Sequence, residues 1–171
     1  MDDGANTPES TAAAVVAAPL PPPAAAGDTP RVHYHLCFGW IGLLGFVLLG
    51  IALEALHAWK SPMYLGVGNE TRRLMWTLAH AHGVGLSLVH LGFAATLGLV
   101  PAAARTALLL ASRLLSWASV LIPLGFFLGG TVTYEADPGI GAILVPFGAL
   151  ALVLALARVV WVLVTGTRKR E

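Results

Sequence analysis

The chain has 171 residues, of which 57% are hydrophobic and 11% charged, with a formal charge of +1 and a mean hydropathy of +0.77. A soluble domain carries roughly 25% charged residues, so most of this chain belongs in lipid. The ten Lys and Arg are scattered except for Arg168-Lys169-Arg170, which argues against a nucleic-acid partner, and the single cysteine, Cys37, excludes an intrachain disulfide.

Residues 1–31 are dominated by Ala, Pro, Thr and Asp and include Pro19 and Pro21-Pro22-Pro23. Such a composition buries too little apolar surface to offset chain entropy, so a disordered tail is expected. The acidic start, Asp2-Asp3, lacks the basic stretch that precedes a cleavable signal, and the first span is expected to act as its own insertion signal. The transmembrane domain is expected over residues 32–167, followed by a basic end at 168–171.

Four apolar runs, at about 33–59, 73–100, 106–130 and 141–164, each supply the roughly 20 residues that cross a hydrocarbon core of about 30 Å. The expected fold is all-α, an integral membrane four-helix bundle. On the first span Gly39, Phe46, Gly50, Glu54 and His57 fall within about 80° of helix surface, a face suited to meeting another helix. Residues 61–71 read as a loop from their Pro and Gly content. On the second span His80, Gly83, Ser87, His90 and Ala94 share a similar arc, with His82 about 80° beyond His90. The third span carries Ser112, Ser116, Ser119 and Pro123 along one side, and Gly125 and Gly129 at small-x-x-x-small spacing. A loop with Glu135 and Asp137 leads to the fourth span, which contains Pro146 and Arg158.

Depths taken from helix rise bring Glu54, His57 and His80 or His82 toward one membrane face, with Glu135 and Asp137 above them. Imidazole and carboxylate ligands at Glu-x-x-His spacing suit a transition metal, and two histidines at one depth suit haem b. The metal reading therefore assigns Glu54, His57, His80 and His82. His80 and His82 are about 200° apart, so at most one joins any single site. Two other readings of the same residues stand beside it: a proton path, and plain helix packing in which His80 bonds a backbone carbonyl across the interface.

His90 is expected without a histidine partner at its depth and level with Arg113, a pair suited to a lipid or quinone headgroup. His33 and His35 are expected as solvated residues at the start of the first helix. Arg113 and Arg158 are expected to snorkel to the interface. The sequence contains no phosphate loop, Cys-x-x-Cys, His-Glu-x-x-His or Gly-x-Ser-x-Gly pattern, which argues against an enzyme of those types.

Leu53-Glu54-Ala55-Leu56-His57 and Arg72-Arg73-Leu74-Met75-Trp76-Thr77-Leu78-Ala79-His80-Ala81-His82-Gly83 resemble segments of small uncharacterised bacterial four-helix integral membrane proteins. The resemblance implies a class and no activity. His33-Tyr34-His35-Leu36 followed by Gly39-Trp40 also resembles the histidine-headed helices of families similar to haem-copper oxidase subunit I. With four spans and without that histidine set, no activity is carried over. Seven Lys and Arg on the side of the termini against three on the other place both termini in the cytoplasm and the protein in a cell inner membrane. The expected partners are the lipid bilayer and a second copy or a larger membrane complex, with no nucleic acid. A structural or assembly subunit without cofactor, or a small proton-coupled transporter, are the alternatives to a metal or haem carrier.

Overall fold

A computed structural model describes residues 29–134 and 137–168. Nearly all of the expected tail, together with Glu135 and residues 169–171, lies outside the described residues.

Six helices follow in order: α1 (Thr29–Ala58), α2 (Pro62–Leu65), α3 (Glu70–Leu99), α4 (Ala102–Ala107), α5 (Leu109–Thr131) and α6 (Leu144–Arg168). Helices α1, α3, α5 and α6 are the four long and apolar enough to cross a membrane, and they coincide with the four predicted spans. The expected loop at 61–71 is instead mostly helical. Pro62 opens α2, where its fixed φ suits a first helical position, and a 3-10 turn covers Val67–Asn69. The expected third span, 106–130, begins slightly later, after the short helix α4: Leu108 follows α4, and its φ of −88° and ψ of 0° redirect the chain while its side chain stays buried. Arg105 satisfies the Val100 carbonyl beside this bend.

The helices pack in sequence, α1 on α3, α3 on α5 and α5 on α6. The two central helices bury a larger share of their residues than the two flanking ones. The flanking helices are also the more apolar, as lipid exposure requires, and the histidines and serines of α3 and α5 lie where protein can satisfy them.

The α1–α3 face is the one expected from the helical wheel. A Cβ on Gly83 would collide with the Phe46 ring, one on Gly50 would fall 2.5 Å from His80 Cε1, and one on Gly42 would fall 2.6 Å from Ser87 Oγ. Gly125 and Gly129 both make close contacts, as their spacing suggests: hypothetical Cβ atoms fall 2.9 Å from Val145 of α6 and 3.2 Å from Ala142 in the 3-10 turn Ile140–Ile143 that precedes it.

The end of α5 has a complete hydrogen-bond accounting. Trp76 Nε1 donates to Phe127 O at 3.1 Å, Thr131 Oγ1 to Leu128 O at 2.6 Å, Gly139 N to Gly129 O at 2.8 Å and Arg72 Nε to Gly130 O at 3.1 Å. Arg72 also reaches Thr131 O at 3.4 Å and Met63 O at 3.0 Å. Gly129, Gly130 and Thr131 carry the last carbonyls of α5, which lack a helical donor, and the guanidinium stands at the negative end of the helix dipole. Arg72→Met keeps most of the apolar stem but loses the charge-assisted bonds. It is expected to cost about 2 kcal/mol, measured as a lowered thermal midpoint in detergent.

Helix α1 ends with Lys60 in the left-handed region at φ 50°; Lys60 N donates to His57 O and Ser61 N to Leu56 O, both at 3.0 Å. This pairing is the Schellman closure, which favours glycine at the left-handed position. Lys60→Gly is therefore expected to stabilise the protein by up to about 1 kcal/mol in the same melt.

Candidate functional site

Three helices bring their polar residues together near the end of the bundle where α1 begins. His35 from α1 and His90 from α3 are both 0% exposed. Their Nδ1 atoms are 2.8 Å apart, a direct hydrogen bond between the two imidazoles. The outer nitrogens meet serines of α5: His35 Nε2 lies 2.7 Å from Ser112 Oγ, and His90 Nε2 lies 3.0 Å from Ser119 Oγ. Aromatic rings enclose the pair, with Phe38 stacked on His90 at 4.2 Å and Phe93 edge-on to His35 at 4.7 Å. Tyr34 lies edge-on to His35 at 5.0 Å, and its hydroxyl donates to Ser116 Oγ at 3.0 Å.

The hydrogen bonds fix the direction of the chain. Ser119 Oγ donates its single proton to Leu115 O at 2.9 Å, so it accepts from His90 Nε2–H. A neutral His90 with its proton on Nε2 presents a bare Nδ1, which accepts from His35 Nδ1–H. His35 Nε2 is then bare and accepts from the Ser112 hydroxyl. The result is one continuous run of donors, from Ser112 through His35, His90 and Ser119 to a backbone carbonyl. Every member is satisfied, as burial in a low-dielectric interior demands.

This arrangement corrects two expectations. His90 does have a histidine partner, and His35 is buried inside the bundle rather than solvated at its edge. The expected depths erred because both spans run further than their apolar cores. With spans of Pro30–Ala58 and Val67–Leu99, His35 lies nine residues before its helix middle and His90 seven after, which leaves the two about 3 Å apart in depth. Arg113 faces outward and is exposed, so it does not share a pocket with His90. Arg158 does not simply snorkel: its Nε donates to Ala107 O at 3.2 Å, at the end of α4.

The four residues of the metal reading are distributed differently. His80 Nδ1 donates to Phe46 O of α1 at 2.7 Å, the carbonyl bond across the interface that the packing reading describes. His82 turns to the opposite side, as the helical wheel requires, and donates to Leu78 O at 2.9 Å with its ring 4.8 Å from Phe126. Glu54 and His57 are exposed, yet with His80, Tyr64 and Thr77 they line one cleft of about 400 Å³ between α1 and α3. Asp137 is exposed in the loop after α5, its backbone paired with Tyr134, and Glu135 is outside the described residues. Among the described residues no three His, Cys, Asp or Glu side chains form a group able to hold a metal ion.

A sequence signal for the buried pair existed. His35 is one turn before Gly39 and within about 20° of Phe46 on the wheel, so the packing face of α1 extends to it. Compared with family models, curated proteins and solved structures, the chain matches none of them.

Proposed function

We propose that this protein is a small membrane-embedded component that binds or passes protons, with the His35–His90 pair and its two serines as the working centre. The observation that carries the reading is the 2.8 Å Nδ1–Nδ1 bond, continued at each outer nitrogen by a hydroxyl. Imidazole is a side chain suited to exchanging protons, and an ionisable group inside a bilayer is a functional-site candidate by default. Apolar walls from Phe38 and Phe93 keep the pair from water and lipid headgroups. The Lys and Arg distribution supports cytoplasmic termini in a cell inner membrane, an orientation in which the pair lies toward the cytoplasmic face.

The test uses full-length protein in liposomes that enclose a pH-sensitive dye, with a potassium diffusion potential as driving force. Wild-type protein is expected to acidify the interior faster than empty liposomes, and His35→Gln and His90→Gln to return the rate to that of the empty vesicles. A rate equal to that of empty liposomes, or one indifferent to both substitutions, would contradict the reading.

A metal ion or haem between α1 and α3 is the second reading, favoured by the cleft that Glu54, His57 and His80 share. His80 donates through Nδ1 and so keeps its Nε2 lone pair for a ligand. Near-stoichiometric metal in protein purified without a histidine tag, lost on His57→Ala, would support it; metal-free folded protein that takes up none would remove it.

A further inference from the structure

We infer that the His35–His90 pair holds one excess proton and no more, and that the Ser112 hydroxyl is the group that turns between the two states. The inference deepens the proton-handling role proposed above and rests on it.

In the neutral pair, a single hydrogen lies between the two Nδ1 atoms and Ser112 donates to His35 Nε2. Transfer of a proton from hydronium to that Nε2 forms an N–H bond and leaves water behind. The new N–H needs an acceptor, and the nearest is the oxygen of Ser112, 2.7 Å away. Ser112 supplies it by turning its hydrogen away from His35. The inner hydrogen bond is unaffected, because His35 Nδ1–H still donates to His90 Nδ1. It can also cross to His90, which makes His90 the imidazolium and leaves His35 neutral with its proton on Nε2. Ser119 accepts from His90 Nε2–H in every one of these forms. A second excess proton has no place, since it would set one Nδ1–H against another at 2.8 Å.

Ser87, Thr96, Ser116, Ser119 and Thr165 each donate to the carbonyl four residues back, at 2.7 to 3.0 Å. Ser112 departs from this pattern: its Oγ meets His35 Nε2 at 2.7 Å instead.

Among the described residues no acid stands beside the pair. On α1, Arg31 acts electrostatically on His35, while His33 is exposed and bonded to Cys37, and Tyr34 contributes a neutral phenol. On α3 the Ser87 hydroxyl donates to Gly83 O; on α5 Arg113 is exposed; Arg105 and Arg158 donate to the Val100 and Ala107 carbonyls. The described acids, Glu54, Glu70 and Asp137, belong to the other end of the bundle. Hydrogen bonds therefore stabilise the excess proton among the described residues, which makes the Ser112 oxygen matter.

The experiment is a pH titration of full-length protein carrying 15N-histidine in lipid bilayers, followed by 15N chemical shifts, with signals assigned by their loss in His35→Gln and His90→Gln. The expected result is one step in which both rings move together and one proton is taken up per pair. Ser112→Ala is expected to move its midpoint by about one pH unit, because a charged donor loses more than a neutral acceptor does, and Ser112→Thr to restore it. Two separate steps, two protons per pair, no uptake in folded protein, or a midpoint indifferent to Ser112→Ala would overturn the inference. A single one-proton step without liposome flux would instead count against transport and leave the inference standing.

Discussion

His90→Ala is expected to lower the stability of the bundle by about 3 kcal/mol. The substitution removes a fully buried ring that is stacked on Phe38 and bonded to two other helices, so it opens a cavity and leaves the His35 Nδ1–H without an acceptor. The stranded donor accounts for the larger part of the loss. A buried N–H in an apolar surround loses its partner and gains no water, whereas removal of both rings strands neither. His35→Ala/His90→Ala is therefore expected to cost less than the sum of the single changes by about 1–3 kcal/mol. Thermal or denaturant unfolding in detergent measures all three variants. Additive losses would show that the two rings are independent and would contradict the pair.

Gly83→Leu is expected to have an effect of similar size, about 3 kcal/mol, by a different cause. The Phe46 ring occupies the space into which any side chain at position 83 would project, so α1 has to move away from α3. The expected signs are a lowered unfolding midpoint and a weaker cysteine crosslink between positions engineered on the two helices. Gly85→Leu provides the comparison, because nothing lies within 4 Å of that glycine. Lipid receives the new side chain there, and leucine is the better helix former, so this variant is expected to be neutral or slightly stabilised. Equal losses at the two positions would show that the Gly83 contact does not set the α1–α3 approach.

The fold was legible because membrane spans are written in length and hydropathy, which depend little on tertiary detail. The packing faces were legible for a related reason: small residues must sit where backbones approach, and Gly39 and Gly50 share one side of α1 while Gly83 lies on the polar stripe of α3. The buried pair was harder to see. Its partners come from three helices, and their depths depend on where each helix begins. Apolar runs mark the lipid-buried core of a span, whereas α1 starts four residues earlier and α3 three residues earlier than the apolar runs suggest. Those few residues change the depth of His35 against His90 by about 7 Å, a little more than one helical turn. The bend at Leu108 and the bonds of Arg72 were not legible at all, since both are solutions to unsatisfied carbonyls that exist only once the helices are packed.

The same reasoning explains why His80 and His82 drew attention. Two histidines in an apolar helix must each find a partner, and ligation is one way to do so. In this chain backbone carbonyls of Phe46 and Leu78 supply the partners, which leaves the cleft beside Glu54 and His57 with one free imidazole nitrogen from His80. The polar residues thus divide into two groups at opposite ends of the bundle, one open and loosely arranged, the other closed and fully bonded.

The most direct test of the central claim is a search for 15N–15N coupling through the hydrogen bond between His35 and His90 in lipid bilayers. The expected result is a coupling that joins Nδ1 of one ring to Nδ1 of the other and disappears in His35→Gln. Two uncoupled rings would contradict the direct bond between them.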